Sequence, residues 1–250
     1  MGKAGREKSV RERIKEQQQA ARAAEKRRRM LTYAAVGVVA LAAIGGGWFY
    51  TYSQSRSEQP AAGPLAPITV QPDGSVAMAK QGVAKPVIDV YEDFQCPGCQ
   101  QFEELSGPTL KNLAFEGKAK VVYHPITIFG QEPLKSNSVR AAAALRCVPG
   151  GEPWMRLHDK LFQEQPREGD VGFQMADLVA WGKEAGVTAP GFEQCVTSQQ
   201  HAQAHLAYSG KTMKEAAIEG TPTVKLDGQA LEGEQLSPVG LRQAVEDAAK

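Results

Sequence analysis

No cysteine occurs in the first 95 residues, and only four are present in all: Cys96, Cys99, Cys147 and Cys195. No charge interrupts the stretch from Leu31 to Tyr52, and no internal repeat is visible. Haem, flavin and nucleotide motifs are also missing, so no cofactor is expected and side chains must carry the chemistry. A second closely spaced cysteine pair is lacking, because Cys147 and Cys195 stand forty-eight residues apart. Structural zinc usually wants two such pairs, so no metal is assigned.

The near-neutral total of +1 hides a division of charge. Residues 1–30 carry eleven Lys/Arg against four Glu, whereas the remainder carries eighteen basic against twenty-four acidic residues. Between the two regions lie the uncharged residues 31–52. As a helix rising 1.5 Å per residue they would span about 33 Å, enough for a hydrocarbon core of roughly 30 Å. Trp48, Phe49, Tyr50 and Tyr52 gather at the far end, where amphipathic rings favour the membrane boundary. A cleaved signal peptide has a short leader and an apolar core of about 7–15 residues. This leader is longer, no small-residue cleavage pattern follows, and no lipid-accepting cysteine is present, so a retained anchor is expected.

Lys26, Arg27, Arg28 and Arg29 abut the span on its N-terminal side, and only Arg56 follows closely on the other. Positive charge stays cytoplasmic, which places the C-terminal region outside. Glu and Gln alternate through the basic arm, so it reads as a topology signal favoured by anionic lipid rather than a nucleic-acid site. All four cysteines then lie on the oxidising side, where an even count points to disulfides.

Residues 53–67, rich in Ser, Gln, Pro, Ala and Gly, read as a linker, and residues 68–250 as the folded domain. Ile68–Val70 and Val76–Ala79 flank a turn, and Pro86–Tyr91 has the compact apolar pattern of a central strand. A helix is expected from Cys96 to about Glu116, then a strand over Ala119–His124 ended by Pro125. Helices follow near 135–147, 152–164, 174–185 and 191–218. Thr223–Leu226 and Gln229–Leu231 form a hairpin about Asp227-Gly228. Ser237-Pro238 opens the last helix, as N-cap and first helical residue.

Cys96-Pro97-Gly98-Cys99, following a strand and opening a helix, is the most specific feature. Two intervening residues let the thiols close a small disulfide. The helix N-terminus sets backbone N–H groups and partial positive charge beside the first sulfur. Both favour the thiolate, the form that attacks and leaves. The second thiol, one turn inside, would resolve the mixed disulfide. A zinc half-site and an inert disulfide are the weaker alternatives.

Asp93-Phe94-Gln95-Cys96-Pro97-Gly98-Cys99-Gln100-Gln101-Phe102 resembles the active-site segment of the DsbA-like branch of the thioredoxin superfamily. Gly220-Thr221-Pro222-Thr223-Val224 resembles that superfamily's cis-proline loop. The resemblance covers about residues 68–250. It implies an α/β thioredoxin-like fold with a large helical insertion at about 132–219, preceded here by the membrane helix. It also implies an exposed nucleophilic Cys96, a resolving Cys99, a cis Pro222 facing the disulfide, and a Thr221 backbone that pairs with extended substrate.

Two departures stand out. Pro-Gly replaces the Pro-His common between the cysteines of well-known members. Val90 stands where many thioredoxin-like proteins bury an acid, six residues before the first cysteine. Asp89, Glu92 and Asp93 are nearby and one of them would assist proton transfer, although a solvated strand end is the favoured reading. A Cys147–Cys195 bond is known in some relatives and would contribute roughly 4 kcal/mol by closing its loop; two buried free thiols remain the alternative. Cys195, His201 and His205 lack an evident fourth ligand for a metal, and His124 and His158 receive no role.

The expected function is a dithiol oxidase, anchored in the cell membrane, that introduces disulfides into exported unfolded proteins. The resemblance suggests a DsbB-like or VKOR-like quinone-coupled membrane oxidase as the partner that would reoxidise it. A reductase or isomerase of the same fold, and a non-catalytic redox-sensing or peptide-binding module, are the alternatives. The helical insertion favours the oxidase, and residues 53–85 are too few for an isomerase's dimerisation domain.

Overall fold

The computed structural model describes residues 64–250. The basic arm, the expected membrane span and all but the end of the linker lie outside the described residues. Among the described residues, no helix is long and apolar enough to cross a membrane.

Six strands form one sheet: β1 (Ile68–Val70), β2 (Val76–Met78), β3 (Val87–Glu92), β4 (Lys120–Pro125), β5 (Thr223–Leu226) and β6 (Gln229–Ala230), in the order β1-β2-β4-β3-β5-β6. Strands β3 and β4 pair in parallel, with Ile88 opposite Val121 and Val90 opposite Tyr123, and these four side chains are fully buried. Parallel neighbours need a crossover, and helix α1 (Pro97–Glu116) supplies it. Gly117, left-handed at φ 75°, ends α1, and the N–H groups of Gly117 and Lys118 reach Ala114 and Leu113 carbonyls.

Strand β5 lies antiparallel on the other side of β3, with Tyr91 opposite Thr223. This pairing decides where the chemistry sits. The end of β3 adjoins the start of β5, so the loop carrying Cys96 meets the loop carrying Thr221 and Pro222. The β5–β6 hairpin turns at Asp227 and Gly228, both at positive φ. Helix α7 (Pro238–Ala248) starts as the sequence predicts, with Ser237 Oγ accepting from the Gly240 N–H at 3.1 Å.

Between β4 and β5 run α2 (Leu134–Leu145), α3 (Glu152–Gln163), α4 (Met175–Glu184), α5 (Phe192–Thr197) and α6 (Ala202–Glu215). The fold is α/β with a helical insertion, and one core joins the two: Val90, Leu110 and Tyr123 belong to the same buried cluster as Trp154, Leu161 and Phe192. The helix expected over 191–218 is two helices. Gln199, at φ 51°, breaks it without a glycine or proline to signal the turn. Strand β4 also runs one residue further than predicted, through Pro125, which lies opposite Glu92 in the parallel register.

Candidate active site

Cys96 is the N-cap of α1, with extended backbone at φ −84° and ψ 116°. Its carbonyl accepts from the N–H groups of Cys99 and Gln100 at 3.1 and 3.2 Å, which fixes the turn that brings the two cysteines together. Across the sheet end, Cys96 Sγ donates to the Thr221 carbonyl at 3.2 Å, and the Thr221–Pro222 bond is cis. Gly98 lies at the same contact: a Cβ there would sit 3.3 Å from Pro222 Cδ and 3.7 Å from Cys96 Sγ. All four sequence-predicted site residues therefore meet in one place.

The two sulfurs have opposite surroundings. A hydrogen bond from the Cys99 thiol is the main cause that lowers the Cys96 pKa to about 6. It outweighs burial, with help from the Thr221 side chain and from the N–H groups of Cys99 and Gly98. Burial, above all, pushes Cys99 well up. Cys96 retains 7% exposure and Cys99 none, so an incoming thiolate can reach only Cys96. The exposed nucleophile implied by the resemblance is in fact largely covered, because the Thr221–Pro222 loop packs against it. In the reduced protein, alkylation of Cys96 should rise with pH to half its maximum near pH 6, rather than near the roughly 8.5 of a free thiol. A midpoint near 8.5 in a stopped alkylation series would contradict this geometry.

Amide side chains hold the loop onto the insertion. Gln165 Nε2 donates to the carbonyls of Phe94 and Cys96 at 2.9 and 3.0 Å. Gln100 Nε2 donates to the Phe162 carbonyl at 2.8 Å, and Gln95 Nε2 to that of Pro166 at 2.9 Å. The helical insertion is thus part of the scaffold that aims Cys96.

The acidic residues before the motif depart from the sequence reading. Glu92 and Asp93 are not a solvated strand end; both are fully buried. Asp93 accepts from the N–H groups of Gln95 and Ile128 at 2.8 and 2.9 Å and from Ser138 Oγ, so it organises the loop. Burial raises its pKa to about 6 despite those donors. Glu92 Oε1 lies 2.6 Å from Nε2 of His158, which is also fully buried. Burial opposes charge on His158, but the Glu92 carboxylate overrides it and raises the pKa to about 10. Glu103, one turn beyond Cys99, is pushed up to about 8 by burial and then by the charge of Glu92. Asp89 instead bonds His124 at 2.8 Å, and His124 bonds Tyr208.

Cys147 and Cys195 form a disulfide with Cα atoms 6.0 Å apart, joining the chain just after α2 to α5. Their sulfurs are therefore unavailable to a metal. His205 turns away to Thr127 Oγ1 at 2.9 Å, so Cys195, His201 and His205 do not converge.

Residues 81–247 match the family model described as Thioredoxin. The chain belongs to the thioredoxin family. No curated protein matches it. Among solved structures of this family, reduced DsbA from Mycobacterium tuberculosis is 29% identical with a TM-score of 0.59, covering 68% of this chain and 87% of that one. DsbG from the same organism, described as a disulfide bond oxidoreductase, is also 29% identical at a TM-score of 0.59, covering 68% and 82%. MdbA of Corynebacterium diphtheriae, a thiol-disulfide oxidoreductase, covers 76% of this chain and 96% of its own at a TM-score of 0.62; at 19% identity it shows the shared fold. With a polarised Cys96–Cys99 pair on that thioredoxin-family fold, the chain is a thiol–disulfide oxidoreductase of the DsbA type.

Proposed function

We propose that this protein is a dithiol oxidase, anchored in the cell membrane and working outside the cytoplasm, that introduces disulfides into exported unfolded proteins. The observation that carries the reading is the stabilised Cys96 thiolate beside a buried, high-pKa Cys99. A stabilised thiolate favours the dithiol form of the enzyme and therefore makes its disulfide a stronger oxidant.

In the oxidised enzyme, a substrate thiolate attacks Cys96 Sγ. The Cys96–Cys99 bond breaks, its electron pair goes to Cys99, and Cys99 takes up a proton. A second substrate thiolate then attacks the substrate sulfur of the mixed disulfide, and Cys96 departs as thiolate. Two substrate thiols have become a disulfide, and the enzyme disulfide has become a dithiol. Extended substrate laid along the Thr221 backbone would present its sulfur to Cys96. The two electrons must then pass to an oxidant, for which a quinone-coupled membrane oxidase of DsbB-like or VKOR-like type fits the anchored topology.

The location rests on the charge reversal across residues 31–52. A periplasmic-type reporter fused after Lys250, one active only where disulfides form, should be active in the full chain. Deleting residues 1–52 should abolish that activity. Activity of a cytoplasm-only reporter at the same position would remove both the location and the client class.

A further inference from the structure

Three core elements bring chemically matched side chains to one point. Glu92 ends β3, Glu103 lies on α1, and His158 lies in the middle of α3. One ligand atom from each lies within 4.8 Å of the others. Glu92 and His158 are fully buried, and Glu103 keeps 8% exposure. His158 Nε2 satisfies only Oε1 of Glu92. Glu92 Oε2 and both Glu103 oxygens are buried without a hydrogen-bond partner. The Tyr123 hydroxyl is in the same condition, and its ring lies 5.1 Å from that of His158.

Such atoms are costly to bury unpartnered, about 1–3 kcal/mol each. The neighbouring cation does not help them, because Lys111 is committed to Asp159 at 2.6 Å. Asp159 in turn reaches Nδ1 of His158 at 3.3 Å. A carboxylate on one imidazole nitrogen fixes the tautomer and presents the other nitrogen as a ligand, the usual outer support of a metal-bound histidine.

We propose that Glu92, Glu103 and His158 bind one divalent transition-metal ion, with zinc the best match. One imidazole nitrogen and two carboxylates suit zinc, with Zn–N and Zn–O distances of about 2.0–2.2 Å. Calcium takes six to eight oxygen ligands, which three residues with an imidazole among them do not supply. The ion takes the place of the proton between Nε2 and Glu92 Oε1 and gathers the unpartnered oxygens around it. It ties the helix that carries the cysteines to β3 and to the insertion, and so braces the active-site scaffold. The linear sequence hides the site, since its members are eleven and fifty-five residues apart.

The test uses the full chain in detergent with both cysteine pairs oxidised, so that no thiol competes. Calorimetric titration with zinc chloride should give one ion per chain. Glu103→Gln, nearly isosteric, should bind at least tenfold more weakly, and calcium chloride should give no comparable binding. Absence of zinc binding, equal affinity in the variant, or equally tight calcium overturns the proposal. X-ray absorption on the zinc-loaded wild type answers the same question even if the variant does not fold. A shell of nitrogen and oxygen with a single imidazole is expected, whereas sulfur or two imidazoles in the shell places the ion elsewhere and refutes the site.

Discussion

Cys99→Ala should accumulate covalent complexes with client proteins, and Cys96→Ala should accumulate none. The difference follows from the two sulfur environments. Of the two thiols only Cys96 is reachable, with a pKa lowered to about 6, while Cys99 is fully buried. In the wild type, a mixed disulfide on Cys96 is opened either by the second client thiol or by Cys99. In Cys99→Ala the Cys96 thiolate forms the complex by attacking a client disulfide and displacing one client thiolate, and without Cys99 only a client thiol can open it again. Removing Cys96 leaves a thiol with no access and a pKa pushed well up, so little thiolate forms at neutral pH. Non-reducing gels of the two variants, with and without dithiothreitol, provide the readout. High-mass, reductant-sensitive species should be confined to Cys99→Ala. Their appearance in Cys96→Ala instead would reverse the two roles.

The second large effect concerns stability. Replacing both Cys147 and Cys195 with Ser removes a crosslink that closes a loop of forty-eight residues. The loss of chain constraint in the unfolded state should cost about 4 kcal/mol. For a domain of this size, each kcal/mol shifts Tm by about 2–4 °C, so a fall on the order of 10 °C is expected. Differential scanning calorimetry measures it, with Cys96 and Cys99 held in the same redox state in both proteins. Because the bond lies away from Cys96, the alkylation midpoint near pH 6 should persist in the double variant at 25 °C. A Tm within one or two degrees of wild type would show that the insertion is held by packing alone.

The reactive pair was legible because its signal is local: an apolar strand pattern, then two cysteines at the spacing of one helical turn. Its meeting with Thr221 was legible only through two motifs in order, since β3 and β5 are neighbours that sequence separates by 130 residues of other structure. What hid was burial imposed from outside. Glu92 and Asp93 look like a polar strand end, and nothing local reveals that α3 will cover Glu92 and α2 will cover Asp93. His158 lies on α3 between Trp154 and Phe162, one turn to either side, all three buried, so its core position has a helical-period signal. Its partner Glu92 has none, because the contact spans sixty-six residues. The break at Gln199 escaped for a related reason. A non-glycine residue takes the left-handed backbone there, between α5, stapled through Cys195, and α6. The hairpin at Asp227-Gly228 and the Ser237 cap, by contrast, were fixed by residue types that each favour one local conformation.

The oxidase reading stands most directly on the reduction potential of the Cys96–Cys99 pair. Equilibration of the full chain with glutathione buffers of graded ratio, followed by alkylation and mass analysis, measures it. Stabilisation of the Cys96 thiolate predicts a potential above about −200 mV, on the side of DsbA at about −120 mV. A value near the −270 mV or so of thioredoxin would contradict the oxidase and make the protein a reductase.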